Sequence, residues 1–132
     1  MIKEDYVNFD VAVLLNEKGF DVPEYIVGHI YTENGSIQSV SGVEYDGVDC
    51  IAAPTLYMAM KWLREKHNVH IEILMTNHSM SEKFDIPKYY WVAVDAKTCK
   101  WIDESTVYSV KQFDTNEDAC NDAIKRCLEK YC

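Results

Sequence analysis

The sequence predicts an α+β domain: an antiparallel or mixed sheet of four or five strands, with three helices mostly on one face, in the order α-β-β-α-β-β-β-α. Three observations predict it. Pro54 to Lys66 carries an apolar stripe at helical spacing, Leu56, Ala59, Met60 and Leu63, with Met58 and Trp62 widening it. Thr115 to Tyr131 carries a second such arc through Ala119, Cys120, Ala123, Ile124, Cys127 and Leu128. Between them Val69 to Thr76 alternates, with Val69, Ile71, Ile73 and Met75 on one side and His70, Glu72 and Leu74 on the other.

Along the chain, Asn8 is placed to cap a first helix, and Gly19 to end it in the left-handed conformation that glycine adopts cheaply. Phe20 then folds back on the last turn. Tyr25 to Thr32 is aromatic and β-branched and reads as a strand. Asn34-Gly35 is a hairpin signal because both positions tolerate positive φ, and Ile37 to Val43 is the returning strand. Glu44 to Asp49 is a loop leading to the central helix, which Pro54 or Thr55 opens. That helix ends near Asn68.

Asn77 to Lys88 is a polar loop of about a dozen residues, long for a compact domain. Tyr89 to Ala96 forms the next strand, with Tyr89, Trp91 and Ala93 on one face and Tyr90, Val92 and Val94 on the other. Lys97-Thr98 turns the chain, Cys99 to Ile102 returns it, and Val107 to Val110 adds a short edge strand. Thr115 opens the last helix in a capping-box pattern, with Asp118 in place of Glu.

The 132 residues make one domain, 1–132, large enough to bury a core without disulfide or metal support. The net charge of −9, from 22 acidic and 13 basic side chains, argues against direct binding of nucleic acid or of anionic membranes. A basic protein partner is compatible with it. No apolar run reaches the roughly 18 residues of a membrane span. The first residues lack the pattern of a secretory signal, and the five cysteines are odd in number and irregularly spaced. Reduced thiols and a cytoplasmic location are therefore expected.

Several segments resemble a family of small uncharacterised proteins of gut bacteria and their mobile elements and prophages. They are Pro54-Thr55-Leu56 with Ala59 to Glu65, the opening Met1 to Val7, Leu14-Leu15 to Gly19-Phe20, and Phe113-Asp114-Thr115 with Asp118-Ala119. The resemblance covers both ends and the middle, but not Gly35 to Asp49 or Asn77 to Gln112. It implies the same architecture and a mobile-element origin, and it transfers no catalytic residue.

Candidate chemistry is sparse. His67 and His70 straddle a helix end and a strand start, so their rings are expected to diverge, and no metal-binding motif is present. Cys120 and Cys127 lie two turns apart in an apolar arc, where a thiol behaves as a small hydrophobe. Cys50 before the central helix, with His78, is a conceivable nucleophile and base, but Asp46 and Asp49 oppose thiolate formation. No cofactor is implied. The surplus is aromatic: Tyr25, Tyr31, Tyr89, Trp91, Trp101 and Tyr108 fall on or near strands.

The resulting expectation is a non-enzymatic cytoplasmic interaction module, accessory to a mobile element or prophage. It meets an unidentified protein partner or a second copy through Tyr89, Trp91, Met58 and Trp62. The alternatives are a small enzyme with a cleft near the 77–88 loop, and an acidic decoy that mimics nucleic acid for a basic protein.

Overall fold

A computed structural model of the chain describes residues 5–20, 29–32, 35–39, 50–75, 88–105 and 112–132. The element order is α1 (Phe9–Glu17), β1 (His29–Thr32), β2 (Ile37–Ser39), β3 (Cys50–Ala52), α2 (Leu56–His67), β4 (Val69–Met75), β5 (Tyr89–Asp95), β6 (Trp101–Glu104) and α3 (Asn116–Tyr131). The fold is α+β. Among the described residues, in place of one sheet of four or five strands there are two antiparallel sheets of three, ordered β2-β1-β3 and β4-β5-β6. The added strand is β3, which pairs with β1 through Ile30–Ala52, Tyr31–Ile51 and Thr32–Cys50.

The helix ends follow local chemistry. Asn8 accepts from the Val11 amide, Thr55 from Met58 and Thr115 from Asp118, each satisfying a donor with no partner inside its helix. Thr55, not Pro54, is the cap of α2. The end of α1 is a Schellman closure: the Phe20 amide donates to the Leu15 carbonyl at 2.9 Å and the Gly19 amide to Asn16 at 3.3 Å. Gly19 takes φ +88°, which a side chain would oppose. Phe20 is thereby buried, its ring 5.7 Å from that of Trp62. Asn68 ends α2 in the left-handed conformation and turns the chain directly into β4.

Helices α2 and α3 touch each other and pack on the second sheet, α2 against β4 and α3 against β4 and β5. Helix α1 packs against α3 and β3, so it ties the first sheet to the helical layer. One core results. It joins Val11 and Leu15 of α1, Leu56, Ala59, Trp62 and Leu63 of α2, Val69 and Ile71 of β4, Trp91 and Ala93 of β5, and Cys120, Ala123, Ile124, Cys127 and Leu128 of α3. The expected strand at 107–110, the 25–28 and 40–43 ends of the first hairpin and most of the 77–88 loop lie outside the described residues.

Candidate interaction surface

Residues paired across an antiparallel ladder share a face. Ile71 pairs with Ala93 and Ile73 with Trp91, and this face meets the helices. His70 pairs with Val94, and Val94 pairs with Trp101, so these three stand on the opposite face. In the next row Val92 lies between Glu72 and Glu104 and is only 1% exposed, so this outer face is closed at its centre. It opens at the end that carries Trp101, which is 64% exposed.

A bulge in β6 determines which side chain goes where. Ala93 pairs with Asp103 but Val94 pairs with Trp101, which leaves Ile102 as an extra residue. Regular alternation from Asp103 would put Ile102 outside and Trp101 inside. With the bulge, Ile102 packs against the core and Trp101 faces water.

The tip of the β5–β6 hairpin is held firmly. Asp95 Oδ1 accepts from the Lys97 amide at 2.8 Å and from Thr98 at 3.0 Å. Cys99 donates to the Asp95 carbonyl, Asp95 to Lys100, and Ala96 to Asn68, each at 2.8 Å. The bonds from Thr98 and Lys97 hold the Asp95 carboxyl below its ordinary value. Ala96 to Trp101 form a continuous exposed run that includes Lys97, Lys100 and the Cys99 thiol.

Helix α3 grips the inner side of this hairpin along one polar stripe. Asp122 Oδ2 accepts from Trp91 Nε1 at 2.9 Å. Asp103 Oδ2 accepts from Arg126 Nε at 2.9 Å and lies 3.6 Å from Lys130 Nζ. Tyr131 donates its hydroxyl to the Ile102 carbonyl at 2.8 Å. Burial pushes the Asp103 carboxyl up, but the Arg126 and Glu104 hydrogen bonds and the Arg126 and Lys130 charges outweigh it, leaving the net shift downward. A cleft of about 460 Å³ opens beside this stripe, lined by Trp91, Glu104, Ser105, Asp122, Lys125, Arg126 and Glu129. Three of its polar side chains are already engaged, Asp122 by the Trp91 indole, Ser105 by the Trp91 amide and Arg126 by Asp103.

The side chains singled out in the sequence are dispersed. Trp91 and Trp62, expected on the contact surface, are core residues at 1% and 3% exposure. Tyr89 and Met58 are half-buried. The sequence signal for Trp91 was present in Ala93, two residues on: a small side chain on the same face lets a helix approach closely. His67 turns edge-on to Trp62, while His70 Nε2 lies 3.5 Å from Glu72 Oε1 on the outer face, so the two rings do diverge. His78 and the Cys50 side chain fall outside the described residues.

Burial, with Glu117 and Asp5 adding negative charge, pushes the Cys120 thiol up to about 11. Burial and the Asp103 charge push Cys127 up to about 12. A thiol reagent applied to the native protein is therefore expected to modify the exposed Cys99 readily, and Cys120 and Cys127 only on unfolding. Mass mapping of the labelled peptides checks this; rapid native labelling of Cys120 or Cys127 would contradict the packing of α3.

No protein-family model, no curated protein and no solved structure matches this chain. Among the described residues, no helix is long and apolar enough to cross a membrane.

Proposed function

We propose that the protein is a non-enzymatic interaction module whose contact element is the tip of the β5–β6 hairpin, with Trp101 as anchor. The observation that carries this reading is the β6 bulge, which inserts an extra residue to put an indole in water and an isoleucine in the core. Bulges commonly re-aim a side chain beside a functional site. Tryptophan is among the residues most enriched at binding hot spots. The bonded tip is already ordered, so little conformational entropy remains to be lost on docking.

The flanking Lys97 and Lys100 give this spot local positive charge on a chain of net charge −9. The partner surface that fits is a protein pocket, apolar at its floor and acidic at its rim. A second copy of the chain supplies acidic surface and is one such partner. The location is the cytoplasm, which the odd number and irregular spacing of the cysteines support, and the biological setting is a mobile element or prophage of a gut bacterium, which the sequence resemblance supports. The enzyme reading places its cleft near the 77–88 loop, most of which lies outside the described residues; the cleft beside α3 is partly taken up by internal bonds. The decoy reading draws less support, because described acids stand on separate elements, Asp10 on α1, Glu65 on α2, Glu72 on β4 and Asp118 on α3.

The experiment is affinity purification from such a host, with sedimentation of the isolated protein for the self-association arm. Trp101→Ser is expected to weaken the complex about 30-fold, the loss of about 2 kcal/mol typical of a hot-spot residue. Tyr57→Ser, an equally exposed aromatic on α2 at 65%, is expected to leave it unchanged. Loss with Tyr57→Ser and retention with Trp101→Ser would move the contact to α2.

A further inference from the structure

We propose that the cleft beside α3 is a binding site for a small zwitterion of dipeptide size, its ammonium group taken by Glu104 and its carboxylate by Lys125. The site lies apart from the hairpin tip, and the inference is independent of the reading of Trp101.

The cleft separates one side of α3 from the end of β6. Asp122, Lys125, Arg126 and Glu129 recur at intervals of three and four, so they share one side of the helix. Glu104 of β6 and Ser105 after it line the cleft from the sheet. Its volume of about 460 Å³ falls within the roughly 300–1,000 Å³ of small-molecule pockets. Apart from Trp91, every lining side chain is charged or carries a hydroxyl, which suits a charged ligand.

Internal bonds divide this lining in two. Asp122, Ser105 and Arg126 are held by Trp91 and Asp103 and build the wall. The side chains of Glu104, Lys125 and Glu129 make no hydrogen bond or ion pair among the described residues. Glu104 Oε2 is moreover buried without a hydrogen-bond partner. A buried acceptor in that state costs free energy until a donor reaches it. The last torsion of a glutamate is soft, so its carboxylate can turn to a donor in the cleft. An ammonium group supplies three. A simple amine would bring a second cation up to Lys125; a carboxylate on the same molecule pairs with that lysine instead. Ser105, only 7% exposed, accepts from the Trp91 amide and keeps its hydroxyl proton for the same carboxylate. The unengaged groups therefore match a ligand that carries both charges.

The test uses the full chain labelled with 5-fluorotryptophan and alanyl-alanine as the probe. The ¹⁹F spectrum holds one resonance each for Trp62, Trp91 and Trp101, assigned through Trp62→Phe and Trp101→Phe. Trp91 is the reporter, because its indole is tied to Asp122 in the cleft wall. Titration into the millimolar range is expected to shift Trp91 saturably and to leave Trp62 in place. N-acetyl-alanyl-alanine lacks the ammonium and alanyl-alanine amide lacks the carboxylate. Each is expected to bind about 10-fold more weakly or worse, the loss of one hydrogen bond to a charged group. Glu104→Gln, nearly the same shape, and Lys125→Ala, at an exposed position, should weaken alanyl-alanine by a similar factor. Glu17→Gln on α1, outside the cleft, should not. Absence of a saturable Trp91 shift would overturn the proposal. So would equal binding of either capped dipeptide, or unaltered binding in Glu104→Gln or Lys125→Ala.

Discussion

Replacing Trp91 by alanine is expected to lower the stability of the fold by about 3–5 kcal/mol, the range for a large aromatic side chain removed from a core. Trp91 sits mid-strand in β5, the central strand of the second sheet, and is the largest fully buried side chain among the described residues. It also joins the layers, because Nε1 donates to Asp122 on α3 at 2.9 Å. Truncation would leave a cavity between sheet and helix and take away a donor that the Asp122 carboxylate uses. Trp91→Phe separates the two effects: most of the packing survives, and the lost hydrogen bond to a charged group costs about 1.5–3 kcal/mol. Urea unfolding followed by far-ultraviolet circular dichroism measures both. A loss below about 1 kcal/mol for Trp91→Ala would mean that the indole is not packed under α3.

Leu63→Ala is expected to cost about 2–5 kcal/mol by the same cavity argument. Leu63 is fully buried in α2, the helix that touches both β4 and α3. Its side chain belongs to the cluster that joins all three helices to the second sheet, so the void would be lined from several directions and could not collapse from one. The denaturant slope is expected to stay at its wild-type value while the midpoint falls, since the same surface is exposed on unfolding. A fall in the slope together with the midpoint would instead indicate that α2 detaches separately, which a single shared core forbids.

The parts of this fold that were legible in the sequence are those fixed by neighbours in the chain. Asn8, Thr55 and Thr115 cap their helices through amides three residues away, and Gly19 with Phe20 closes α1 within six residues. The apolar arcs of α2 and α3 and the alternation of β4 are equally local. Pairing between strands is not. The division into two sheets depends on β3, a three-residue strand whose Cys50-Ile51-Ala52 is too short to show alternation and whose partner lies some twenty residues back. The surface tryptophan was misplaced for a related reason. Alternation correctly grouped Tyr89, Trp91 and Ala93, but which side of a sheet meets the helices is decided by tertiary packing. The bulge at Ile102 then reversed the phase of β6, so Trp101 came to the surface where strict alternation would have buried it. Nothing within residues 101–104 announces that extra residue; its carbonyl is satisfied by Tyr131, 29 positions away.

The display of Trp101 as the point of contact is tested most directly by photocrosslinking inside the host cell. p-Benzoylphenylalanine placed at position 101 is compared with the same group at position 57, on a side chain of matching exposure. A discrete adduct formed from position 101 and absent from position 57 is the predicted result. Adducts from position 57 alone, or the same diffuse set from both positions, would contradict the assignment of the hairpin tip as the binding element.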